Sequence, residues 1–97
     1  MTAPTSYGDR LATILNLKFP GYTYAVKSGR KYDKITVQHS FNGGQSVHAF
    51  VNRENGDVLK AEGWNKPAQG ARGNVATFEG LKDITERADK FGGYLYR

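Results

Sequence analysis

Cysteine is absent from this chain, and methionine and tryptophan occur once each. Without cysteine there can be no disulfide staple, no thiolate nucleophile and no cysteine-ligated zinc, and the composition suits a reducing cytoplasm. No apolar run approaches membrane-spanning length, and the opening MTAPTSYGDR has neither the charged start nor the apolar stretch of a signal peptide. The motifs of the common enzyme classes are missing as well. There is no Gly-x-Ser-x-Gly elbow, no phosphate-cradling glycine loop and no zinc signature. Acids are the scarcer charge, nine against 14 Lys and Arg, for a net charge of +5 and a pI near 9.6.

The 97 residues provide for one domain with one modest core, spanning residues 1–97. An aromatic fraction of 12% argues against disorder. The basic excess is localised. From Tyr22 to Ala76 eight bases stand against four acids, whereas from Thr77 onward four balance four. A basic middle, between an N-terminal flank of +1 and a neutral C-terminal one, is the footprint expected of a polyanion-binding face, and the bland alternative is charge that only keeps a small protein soluble.

The pattern of apolar residues predicts an α+β fold, with a three- to four-stranded antiparallel meander packed against an N-terminal and a C-terminal helix. Residues 1–5 read as a frayed terminus. Ser6 and Asp9 have the spacing of a capping box, and Leu11, Ile14 and Leu15 form one helical face over residues 7–17. Pro20-Gly21 stops that helix. Alternating runs then fill residues 22–61, divided by the turns Ser28-Gly29-Arg30, Asn42-Gly43-Gly44 and Glu54-Asn55-Gly56-Asp57. Val47, Ala49 and Val51 share one face of the third strand by strict alternation, with His48, Phe50 and Asn52 opposite. Residues 62–76 show neither period and read as an irregular basic loop. Phe78, Leu81, Ile84, Ala88 and Phe91 recur at helical steps over residues 77–91, ahead of Gly92-Gly93 and an apolar Tyr94-Leu95-Tyr96 close. The expected core is Leu11, Ile14, Leu15, Ile35, Val37, Val47, Ala49, Val51, Phe78, Leu81, Ile84 and Phe91.

Two places interleave cations with aromatics. Lys27, Arg30, Lys31 and Lys34 surround Tyr32 at the first hairpin turn. Lys60, Lys66 and Arg72 surround Trp64 in the irregular segment. Cations neutralise phosphates and an exposed aromatic ring gives bases a platform, which is what single-stranded or structured nucleic acid requires. The competing role for Trp64 is a plug in a small core. The candidate nucleic-acid-binding residues are therefore Arg30, Lys31, Lys34, Lys60, Trp64, Lys66 and Arg72. His39 and His48 flank one hairpin, but no carboxylate is placed beside them as a third ligand, so no metal site is expected. No catalytic residue and no cofactor is indicated.

Several segments together resemble a family of small proteins encoded by tailed bacteriophages, especially those of actinobacteria. They are the Gly-Arg-Lys-Tyr turn at Gly29 to Tyr32, the strand Ser46 to Val51, Gly56 to Val58, Trp64 to Ala68 with Arg72-Gly73, and the closing Gly92 to Tyr96. The likeness covers most of the chain after residue 28. It departs at Lys-Ala-Glu-Gly-Trp, where the pattern has Lys-x-Ala-Ser-Trp. It implies a phage origin, and hence the host cytoplasm, but no mechanism. The expected function is that of a small accessory protein binding nucleic acid. The alternatives are a protein that binds and modulates a host protein, using Trp64 as anchor, or a virion or assembly component. The order of elements is similar to that of the double-stranded RNA-binding domain. Here Thr77-Phe78-Glu79 stands where that domain has its Lys-rich motif, so only the topology is alike.

Overall fold

The computed structural model describes residues 6–39 and 44–88. The Asn42-Gly43 turn, Phe91, Gly92-Gly93, the C-terminal close and residues 1–5 lie outside the described residues. Helix α1 spans Tyr7–Lys18. Its capping box is formed: the Asp9 N–H donates to Ser6 Oγ at 3.1 Å, and the Ser6 N–H donates to Asp9 Oδ2 at 3.4 Å. Strands β1 (Tyr22–Ser28), β2 (Tyr32–His39), β3 (Gln45–Asn52) and β4 (Asp57–Gly63) follow as an antiparallel meander. Gly56 takes the positive φ, 81°, that its turn position requires. The fold is α+β, with both helices contributing to a single core against the sheet.

Residues 62–76 are more ordered than their lack of period suggests. They hold two short strands, β5 (Lys66–Pro67) and β6 (Gly73–Asn74), both paired with β4. The Ala68 N–H donates to the Lys60 carbonyl and the Arg72 N–H to the Val58 carbonyl, at 2.8 and 2.7 Å. The segment is thus a return strand, broken in the middle, that covers the outer edge of β4. Two-residue strands are too short to display alternation, and Pro67 and Gly70 interrupt what there is.

Helix α2 spans Phe78–Arg87, with Thr77 as N-cap and an extended Ala88 as C-cap. It ends before the expected residue 91. Nothing in the local sequence stops it at Ala88; the end is held from α1, where Lys18 Nζ donates to the Thr85 and Ala88 carbonyls at 2.7 and 2.9 Å.

The core contains Leu11, Leu15, Ile35, Val37, Ala49, Val51 and Ile84 as expected, with Ile14 and Leu81 packed at its margin. Tyr24, Val58, Val75 and Ala88 join it. Two expected members do not. Phe78 is 83% exposed, because at about 100° per residue it lies roughly 120° around α2 from Ile84. Val47 is only half-buried. Ile35 pairs with Ala49 but Thr36 pairs with Val47, so β3 carries one extra residue, His48. This bulge breaks the alternation. Val47 moves to the face away from the helices, and His48 turns inward and meets the Tyr24 ring edge-on at 5.4 Å between centroids.

A candidate nucleic-acid interface on the outer face of the sheet

In the meander, residues opposite one another share a face. Ile35, Ala49 and Val51 point at the helices, so Lys27, Lys34, Phe50 and Leu59 form a row on the outer face across β1 to β4. Lys27 and Lys34 are directly opposite, an arrangement of like charges that destabilises a strand pair. The ring of Trp64, 46% exposed in the β4–β5 turn, lies against both. Lys34 Nζ is 4.6 Å and Lys27 Nζ 5.7 Å from its centroid. Each such contact offsets about 0.5–1 kcal/mol at an exposed site. Lys34 Nζ also donates to Asn65 Oδ1 at 2.6 Å. Trp64 is therefore a surface residue, and the two basic segments meet in space.

Beside this contact lies an open cleft of about 310 Å³ between the β1–β2 turn and the β4–β5 turn. Four cations line it, Lys27, Arg30, Lys31 and Lys34, and no acid does among the described residues. Tyr32, Phe50 and Pro67 supply its apolar surface. Phe50 is only 4% exposed, which puts it at the bottom, and Tyr32 meets it edge-on at 6.3 Å. The β1–β2 turn is held in place by Arg53. Its backbone N–H donates to the Lys31 carbonyl at 2.9 Å, Nη1 to the Gly29 carbonyl at 2.5 Å, and Nε lies 3.4 Å from Asp33 Oδ1.

The candidate residues divide. Arg30, Lys31 and Lys34 line the cleft and Trp64 flanks it through Lys34. Lys66 follows on β5 but pairs with Glu62 at 3.8 Å, an exposed contact of small energetic weight. Lys60 faces Ala49 in the ladder and so belongs to the helix side of the sheet. Arg72 lies where the chain approaches α2, its carbonyl accepting from Arg87 Nη2 at 3.1 Å. Neither lines the cleft. Phe50 and Asn65 were not among the candidates. Counting outward from a two-residue Arg30-Lys31 turn would have placed Lys27 opposite Lys34, alternation from Ile35 would have put Tyr32 outward, and alternation from Ala49 and Val51 would have put Phe50 outward.

Among the described residues no three His, Asp or Glu side chains cluster as a metal would need, and no helix is long and apolar enough to cross a membrane. Residues 5–97 match the model of a family of unknown function (DUF7717). No curated protein and no solved structure matches the chain.

Proposed function

We propose that this chain, which belongs to the DUF7717 family of unknown function, is a small accessory protein of a tailed bacteriophage that binds nucleic acid in the host cytoplasm through the outer face of its sheet. The observation that carries the reading is the pair Lys27 and Lys34, opposed across β1 and β2 with Trp64 against both ammonium groups. A fold gains nothing from opposing two lysines; a phosphate between them removes the repulsion. Arg30 and Lys31 extend the same field along the cleft, which no acid lines among the described residues. Trp64 supplies an exposed ring on which a base stacks. The phage assignment is supported by the sequence likeness of the Gly-Arg-Lys-Tyr turn, the Ser46 to Val51 strand and the Trp64 to Ala68 segment.

The test is fluorescence anisotropy with labelled single- and double-stranded DNA and RNA over a range of salt. Affinity falls steeply as salt rises. Trp64→Ala weakens binding by about 1–3 kcal/mol, and costs about 1–2 kcal/mol of stability through the loss of its two lysine contacts. If no nucleic acid shows salt-sensitive binding at low ionic strength, the reading is wrong. Trp64 would then be tested as an anchor for a host protein.

A further inference from the structure

We infer that the cleft between the β1–β2 and β4–β5 turns receives one unpaired nucleotide, so that the protein selects single strands over duplex. This rests on the nucleic-acid reading above and narrows its ligand.

The cleft has the layout of a nucleotide. Its bottom is apolar and aromatic, formed by Phe50, Tyr32 and Pro67, and its rim is cationic, with Lys27, Lys31 and Lys34. A base is flat and apolar on its faces, and the phosphate attached to it is anionic. At about 310 Å³ the cleft is near the lower limit of small-molecule sites. That is room for one nucleotide and too little for the side of a double helix. A duplex presents phosphates to a surface and keeps its bases stacked inside, so it reaches the lysine rim and leaves the aromatic bottom unused. The bottom is also preorganised. Phe50 is held in the β-sheet between Lys34 and Leu59 and is braced edge-on by Tyr32. Asn65 gives its oxygen to Lys34 and keeps its amide N–H groups to donate at the rim, where the carbonyl oxygens of an unpaired base are acceptors.

DNA and RNA share this chemistry, and the experiment carries both. Anisotropy of the full chain is measured with oligothymidine, oligouridine and a blunt DNA hairpin of equal phosphate number whose strands are joined by a polyethylene glycol linker, so that it has no unpaired base, at one ionic strength and over a salt series. At least one of the single strands binds about tenfold more tightly than the hairpin, as one stacked base provides. Tyr32→Leu and Phe50→Leu keep every charge and an apolar side chain in place. Each brings the single-strand preference down towards unity and leaves the salt slope unchanged, with circular dichroism confirming the fold. Tyr32 is half-buried, so its variant serves if Phe50→Leu does not fold. A hairpin that binds as tightly as both single strands overturns the inference and leaves polyanion binding standing. So does a single-strand preference that survives both substitutions. Absence of binding to all three probes overturns the inference and the reading beneath it together.

Discussion

Asp33 is the one acid buried among the described residues. It is 0% exposed, shares the inner face of β2 with Ile35, and neither carboxylate oxygen accepts a protein hydrogen bond among the described residues. Arg53 is its ion partner at 3.4 Å, and the first turn of α1 lies over it at Gly8. A Cβ built at Gly8 would come within 2.6 Å of Asp33 Cβ and Oδ2. Replacing a helical glycine by alanine ordinarily stabilises by about 0.5–1 kcal/mol. Here the sign reverses. Gly8→Ala destabilises by about 1–3 kcal/mol, as overpacking against a side chain that cannot retreat does. In an Asp33→Gly background, which removes the Cβ at position 33 as well as the carboxylate, the same substitution regains its usual stabilising sign. Urea denaturation of the four proteins of this cycle measures the coupling, and a Gly8→Ala that stabilises the parent chain would show that α1 sits farther from β2. The sequence contained the clue to this burial: alternation from Ile35 and Val37 puts Asp33 on the same face. Nothing in it indicated that a helical glycine would be the cover.

Among the elements, α1 and the meander were legible because each is specified locally. Ser6 and Asp9 cap the helix, Leu11 and Leu15 define its face, and the turn glycines bound the strands. What was hidden depends on partners distant in sequence. The β3 bulge at His48 is visible only against β2, and the halves of the return strand are defined only by β4. The end of α2 is likewise set by α1. Lys18 reaches the Thr85 and Ala88 carbonyls, while Arg10 Nη1 donates to the Val75 carbonyl at 3.0 Å near the other end. Two cations on one helix thereby tie down both ends of the segment that carries the other. Lys18→Met retains the aliphatic stem and removes the charged donor. It costs about 1 kcal/mol and raises amide hydrogen exchange at the C-terminal turn of α2 more than elsewhere. Uniform exchange across the sheet and both helices would mean that Lys18 does not cap that end. Thr77→Ala gives the matching test at the N-terminus, where Thr77 Oγ1 accepts from the Gly80 N–H at 3.0 Å; the loss is again about 1 kcal/mol by urea denaturation.

For the whole molecule, the question is whether +5 acts as a sum or as a face. The sequence located the excess in the middle of the chain, but not on one side of it, because strand register decides which lysines converge. Lys60 and Arg72, close to Trp64 in sequence, do not line the cleft, whereas Lys27, far from it in sequence, stands against its ring. The two possibilities differ in their salt dependence. Each phosphate neutralised on a single strand contributes a slope of about 0.7 in the logarithm of affinity against that of salt. Three or four contacts from Lys27, Arg30, Lys31 and Lys34 therefore give a slope of about 2–3. Lys34→Gln should lower it by about 0.7 and weaken binding to every sequence alike. Lys82 is the control. It is exposed on α2, on the helix side of the sheet, and its substitution by Gln removes the same unit of charge. A face predicts that Lys82→Gln leaves slope and affinity within error of the parent. If Lys82→Gln and Lys34→Gln weaken binding equally, the protein responds only to its net charge, and the Lys27–Lys34–Trp64 arrangement has no part in recognition.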